Sequence, residues 1–263
     1  MHIGVTLPQF RSEAEAAISV ARQAEAHGLD GVFVFDHLWP IRQPDRPALH
    51  SLTLLGALTA ETRSVVLGPL VARVGLVPDA VLVHGLLSLA RMAGDRLVVG
   101  LGTGDRVNRD ENLAYGRPFA PAGERLASVR RCAADLGAAG VPVWVGGRST
   151  ATRRTAAEVG AWNCWGADVA TFAAEAADVR AANPGAELTW GGQVLVGEDA
   201  DDLKAKLERH GDRPGLVAGT VEEIGHHLRL LGEAGATWAV CAPLDIGGGA
   251  PVVERLSRAA AGK

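Results

Sequence analysis

Only three lysines, Lys204, Lys206 and Lys263, occur in 263 residues, against 23 arginines, and the formal net charge is −4. No basic stripe is available to neutralise phosphates, which excludes an ordinary nucleic-acid binder. The arginine bias, alongside abundant Ala and Gly, reads as a GC-rich coding preference rather than a binding function. Cysteine is scarce: Cys132, Cys164 and Cys241 are odd in number, far apart and without CxxC spacing. They suit small buried apolar positions in a reducing compartment, not a disulfide framework. The longest uncharged apolar stretch, Leu136 to Gly147, is broken by Pro142 and falls well short of the roughly 20 residues that a spanning helix needs. Met1 leads almost directly into IGVTLP, with no basic segment and apolar core of a signal peptide. A soluble, cytoplasmic protein with neither a membrane nor a nucleic-acid partner is expected. HxH and HExxH spacings are absent, so no metal centre is expected, and there is neither a GxSxG elbow nor a P-loop.

What the chain does have is 48% hydrophobic residues in short runs. These are IGVTL (3–7), GVFVF (31–35), SVVLGPLVA (64–72), RLVVGL (96–101), VPVWVG (141–146), AWNCW (161–165), LTWGGQVLV (188–196) and TWAVCA (237–242). Continuous apolarity without alternation fits strands buried on both faces, as in parallel sheets. Amphipathic helical stretches separate them. SEAEAAISVARQAEAHG carries a capping-box pattern, Ser12 with Glu15, and stops at Gly28. PDAVLVHGLLSLARMAG enters at Pro78 and leaves at Gly94. Eight strands alternating with helices, without a composition break, predict a (β/α)₈ barrel over 1–263 as a single domain. A doubly wound sheet is the alternative arrangement.

In a barrel, chemistry collects at the C-terminal ends of the strands. The second run ends in Asp36, His37, Leu38 and Trp39, where an imidazole could exchange a proton and an indole could form a stacking wall. A loop cap and a rim cover are the structural alternatives. The fourth run ends in GLGTGDRVN (100–108), whose small residues allow close backbone approach to a flat ligand and whose Asp105 could present a carboxylate. A glycine-rich turn with a solvated acid would look the same. The fifth ends in Gly146, Gly147, Arg148, Ser149 and Thr150 before a helix, a natural anion site, with an ordinary Ser149 or Thr150 cap as the competing account. Arg153 or Arg154 could extend toward an anionic tail. Pro69 within the third run marks either a bulge or irregularity, of the kind that often lies beside a ligand, or a simple strand end. His226 and His227, adjacent on a helix, are expected at the surface.

The ordered set IGVTLPQ, AEAHGLDGVFVFDHLW, ETRSVVLGPLVARVGLVPDAVLVHGLLSLARMAGDRLVVGLGTG, VPVWVGGRSTATRRTAAEVGAWN and GTVEEIGHHLRLLGEAGATWAV resembles the bacterial luciferase-like family of flavin- and deazaflavin-dependent oxidoreductases. The resemblance implies a modified TIM barrel. GLGTGDRVN is most similar to the GxGTGExxN loop of the deazaflavin-dependent branch, which implies coenzyme F420, with FMN as the alternative, and hydride transfer to or from a small organic substrate. It implies an acid/base position at Asp105, one methylene shorter than the family Glu, and a reactive-face histidine at His37. It places Asp36 beside that histidine and Trp39 on the substrate side. Leu70 and Val71, followed by Ala72, match the pair that the family joins by a non-proline cis peptide behind the ring. Gly102, Thr103, Gly104 and Asn108 fall on the cofactor loop, and Gly146, Gly147 and Arg148, with Ser149 and Thr150, on the phosphate segment. Asp110 to Gly140 is shorter than the family insertion between strands four and five, which predicts a more open mouth and argues against glucose 6-phosphate as substrate. An FMN-dependent monooxygenase and a cofactor-binding protein with little catalysis are the rival expectations, and a metal-dependent barrel hydrolase is a distant further one. A homodimer is compatible with apolar helix faces such as AVLVHGLLSLA, as is burial against the barrel.

Overall fold

The computed structural model describes residues 1–262. The chain runs β1 (His2–Thr6), α1 (Glu15–Ala26), β2 (Gly31–Val34), α2 (Ser51–Glu61), β3 (Val66–Pro69), β4 (Ala72–Arg73) and α3 (Asp79–Ala93). It continues through β5 (Val99–Gly102), α4 (Arg109–Ala114), α5 (Ala122–Ala138), β6 (Val143–Gly146), α6 (Thr150–Val159), β7 (Ala161–Trp165) and α7 (Val169–Ala182). It ends with β8 (Glu187–Gly197), α8 (Ala200–His210), β9 (Val217–Thr220), α9 (Val221–Glu233), β10 (Trp238–Pro243) and α10 (Ala250–Ala260). Every strand pairing is parallel, in the order β3-β2-β1-β10-β8-β7-β6-β5-β4, with β9 added beside β8.

All eight expected strands form, and the third is broken in two. β3 pairs with β2 and β4 with β5, and the chain passes between them through a cis peptide at Leu70–Val71. A bridge between Leu67 and Leu97 joins the two sides. Taken as one broken stave, β3 and β4 close an eight-stave barrel, which sets aside the doubly wound sheet. The extra strand β9 comes from LVAGT, too short and too exposed to stand out as a buried run.

Two apolar cores result. The larger lies between the strands and the helices, where the α1, α3 and α5 stripes meet the outer barrel wall. The smaller fills the barrel interior with Phe33, Leu70, Trp144, Ala161, Trp238 and Val240. Aromatics are only 5% of the chain, yet three of them meet there: Phe33 stacks on Trp144 at 5.7 Å, and Trp238 lies tilted against Trp144 at 5.6 Å. Glycines make the room. A Cβ on Gly4 would lie 2.6 Å from the Phe33 ring, and one on Gly146 would lie 2.6 Å from Val71 Cγ1. Large side chains facing absent ones are how a narrow barrel reaches close packing.

Helix termini follow the local chemistry, with one exception. Ser149, Asp168 and Asp199 cap α6, α7 and α8, and Thr220 with Glu223 forms a capping box on α9. The box expected at Ser12 and Glu15 does not form: α1 starts at Glu15 behind Ala14, with no side-chain cap. All three cysteines are free and buried, and burial pushes the Cys132 thiol up to about 11 and those of Cys164 and Cys241 to about 12. His226 is exposed, as expected, but His227 is half-buried. It packs edge-on to Trp190 at 5.6 Å, and burial lowers its pKa. Among the described residues no helix is long and apolar enough to cross a membrane.

Packing around the broken stave predicts an asymmetry between glycines. A Cβ on Gly100 would meet the Pro69 carbonyl at 2.7 Å and both Leu70 Cδ1 and Val71 Cγ1 at 3.0 Å, whereas one on Gly137 meets nothing within 4 Å. Gly100→Ala is expected to lower stability by about 1–3 kcal/mol in urea unfolding. Gly137→Ala in α5 is expected to raise it by about 0.5–1 kcal/mol.

Candidate active site at the barrel mouth

Past β2 the chain turns across the mouth, and Gln9 holds that turn. Its buried amide accepts from Phe35 N and donates to Phe35 O at 2.7 Å, so the end of β2 is tied to the segment after β1. Asp36, the next residue, is buried. Its Oδ1 accepts from Ser51 Oγ at 2.8 Å and its Oδ2 from the Arg73 backbone N–H at 2.9 Å, while Arg73 Nε donates to the Asp36 carbonyl at 2.7 Å. Arg73 sits on β4, just beyond the break in the third stave, and only 5% of its side chain is exposed.

The centre of the network is Glu111, on the short helix α4, with 2% of its side chain exposed. One carboxylate oxygen, Oε1, lies 2.9 Å from His37 Nδ1 and 3.3 Å from Asn108 Nδ2. The other, Oε2, accepts from Leu38 N and Arg73 Nη2, both at 2.8 Å. Burial by itself would raise the pKa of this carboxyl. The hydrogen bonds from His37 and Leu38 and the charge of Arg73 outweigh it and hold the group below its ordinary range. Three N–H donors, from Asn108, Leu38 and Arg73, together with the His37 ring nitrogen, surround the two oxygens.

His37 is thereby oriented from below, with 16% of its side chain exposed. Around it lie other half-buried aromatics: Phe10 is 6.3 Å from the imidazole and stacked on Phe35 at 6.0 Å, and Phe35 meets Trp165 edge-on at 5.6 Å. Trp39 is half-buried and makes no ring stack or hydrogen bond among the described residues. Leu70 is buried and Val71 half-buried at the end of the interior core, with Val71 against Gly100, Gly102 and Gly146. Ala72 is buried and paired with Leu101.

The glycine-rich loop after β5 leads into this network. Gly104 has φ of +69°, which favours glycine, and its Cα faces Asn108 and Arg73. Asn108 is buried and its Oδ1 accepts from Asp105 N at 2.7 Å, while the Asn108 N–H donates to the Asp105 carbonyl at 3.0 Å and the Asp105 carboxylate is exposed. The half-buried Thr103 carbonyl accepts from Arg125 Nε at 2.8 Å, and Arg125 stacks over Phe119. Two hollows on the outer surface, one lined by Leu203 and Glu223 and one by Ile18 and Glu61, share no residue with this constellation.

The segment after β6 is a separate cluster. The Gly147 N–H donates to Asn163 O at 3.2 Å and its carbonyl accepts from Trp162 Nε1 at 2.8 Å. Ser149 Oγ caps Thr152 N at 3.1 Å. Arg148 is paired with Glu175 of α7, with Nε and Nη2 both at 2.9 Å from its oxygens. Thr150 is exposed at the start of α6. No hydrogen bond joins this cluster to His37 among the described residues.

Sequence reading singled out Asp36, His37 and Asn108 and missed the two residues that connect them, Arg73 and Glu111. Each carries a faint signal. Arg73 is the one charge in an apolar run, LVARVGLV, and Glu111 follows Asn108 at i+3, the spacing of one helix face.

The fold and the mouth define a parallel eight-stave barrel that presents a carboxylate-anchored histidine beside aromatic edges. Residues 1–237 match the luciferase-like monooxygenase family, and the chain belongs to that family. It is similar to the F420-dependent glucose-6-phosphate dehydrogenase of Nakamurella multipartita, 39% identical over 105 residues, 38% of this chain and 29% of that one. It is also similar to that of Kineococcus radiotolerans, 36% identical over 111 residues, 42% and 32% of the two chains. The matched stretch thus spans about a third of the length of these curated relatives. In shape it resembles an F420-dependent secondary alcohol dehydrogenase in complex with an F420-acetone adduct, with TM-score 0.80, 15% identity and coverage of 100% and 99%. It also resembles a monooxygenase from Streptomyces bottropensis, with TM-score 0.78, 17% identity and coverage of 98% of both chains. At such identities the likeness establishes the fold.

The Glu111 network predicts a pH signature. Its folded-state pKa lies below the ordinary 4.5, so its stabilisation is complete above that value and lost as pH falls through the lower, folded value. Glu111→Gln is expected to cost about 1–3 kcal/mol at pH 7, with the gap to the native chain closing on acidification below 4.5. Denaturant titrations across that range check it; a gap that persists unchanged in acid would mean that the folded carboxyl is not ionised.

Proposed function

We propose that the chain is an F420-dependent oxidoreductase that exchanges a hydride with a small organic substrate at the barrel mouth. The observation that carries this reading is His37, half-buried, oriented by a buried carboxylate and carrying no protein partner on Nε2 among the described residues. Similarity to F420-dependent dehydrogenases supports the cofactor. Glucose 6-phosphate is not carried over from them, because the match covers about a third of their length and the connection between β5 and α5 is short here.

The residues present suit a flat ring with an anionic tail. Leu70 and Val71 offer an apolar floor, and Gly102, Thr103 and Gly104 offer backbone without bulk beside it. For the tail, the N–H groups of Thr150 and Ala151 at the start of α6 have no acceptor among the described residues, and the helix end adds positive potential. Arg148 is 38% exposed in its side chain and brings Glu175 as its counter-ion. When bound, the deazaflavin supplies the carbon that gives or takes the hydride, and the protein's work is holding, orientation and proton traffic. His37 Nε2 moves the accompanying proton, and Trp39 borders the substrate. Asp105 is the second candidate for the proton, disfavoured by its exposure.

Titration with F420 and with FMN tests the cofactor: saturable F420 binding with hydride transfer is expected. FMN binding with oxygen consumption would make the chain a monooxygenase, and F420 binding without turnover on any acceptor would make it a cofactor carrier. His37→Ala is expected to slow turnover by about 10²–10⁴-fold while F420 affinity holds. An equal loss in Asp105→Asn, with His37→Ala unaffected, would move the proton to Asp105.

A further inference from the structure

We propose that Glu111, itself held by Arg73, is a positioning residue for His37 that fixes its hydrogen on Nδ1, so that Nε2 is the atom which exchanges protons at the mouth. The catalytic use of Nε2 rests on the function proposed above; the tautomer does not.

The hydrogen-bond inventory requires it. Both Glu111 oxygens already accept, from Asn108 on one side and from Leu38 and Arg73 on the other. A carboxylate in that position has only lone pairs to offer His37, so the 2.9 Å contact is donated by Nδ1–H. In the neutral ring the lone pair then lies on Nε2, and that nitrogen has no protein partner among the described residues. The other ring neighbour, Phe10 at 6.3 Å, is apolar and does not distinguish the two tautomers. Arg73 keeps the arrangement in place by binding Glu111 through Nη2 and Asp36 through its backbone N–H and Nε. A proton taken from substrate joins Nε2 and a proton given to substrate leaves it; Nδ1 keeps its own hydrogen and Glu111 remains a carboxylate throughout. Helix α4 lies in the short connection between β5 and α5, so that connection supplies the anchor of the acid/base group.

The test is nitrogen NMR on protein labelled with ¹⁵N-histidine, with the His37 signals assigned by their loss in His37→Ala and read at a pH where the ring is neutral. The native chain is expected to carry hydrogen on Nδ1. In Glu111→Leu/Arg73→Met, which removes both buried charges together, the ring is expected to become a mixture of tautomers. In Glu111→Gln, kcat is expected to fall about 10–100-fold with little change in KM. A native ring with hydrogen on Nε2 overturns the proposal whether or not the double variant folds. So does a double variant that keeps both the Nδ1–H tautomer and full turnover. A native enzyme that transfers no hydride would instead remove the proposed function and leave the tautomer result standing.

Discussion

The mouth of this barrel depends on one buried carboxylate. Glu111 is out of water and in its charged form, an arrangement that is destabilising unless every lone pair is filled. It is filled from three directions: the turn after β2 through His37 and Leu38, the broken stave through Arg73, and the loop after β5 through Asn108. The Asp36–Arg73 hydrogen bonds and the β4–β5 pairing hold the same segments together. The shared carboxylate adds to them the contact that fixes the imidazole against the arginine and the glycine-rich loop.

The cation comes from just past the break in the third stave. β3 pairs with β2 and β4 with β5, and Arg73 is the last residue of β4, at the mouth. Leu70 and Val71 lie against the interior, where glycines on the neighbouring strands, Gly100, Gly102 and Gly146, leave space for them. Apolar packing below and charge pairing above thus meet at one irregular segment, and the half-buried aromatics Phe10, Phe35 and Trp165 border it.

Much of the fold was legible. Continuous apolar runs gave away strands buried on both faces, and Pro69 marked the stave that breaks. Helix ends at Pro78, Gly94 and Ser149 formed where their chemistry indicated. At Ser12 the local pattern did not prevail, and α1 begins three residues later. At the site, the residues at strand ends, Asp36 and His37 above all, were legible because a parallel barrel presents those positions at its mouth. Arg73 and Glu111 were not. Apart from the Asn108–Glu111 contact at i+3, their partners lie 37 to 74 residues away, and no local periodicity encodes such pairing.

By itself, the sequence determined the class of architecture, the membership in the luciferase-like family and the set of residues available at the strand ends, since these follow from local periodicity and from motifs in order. Tertiary structure alone decided which of those residues act together. It bound Arg148 to Glu175 and Ser149 to a helix cap, and left Asp105 in solvent. It also gathered His37, Asp36, Arg73, Asn108 and Glu111 around one charge. The reason is physical: a buried carboxylate must find its donors wherever the fold brings them, and distance along the chain has no bearing on that requirement.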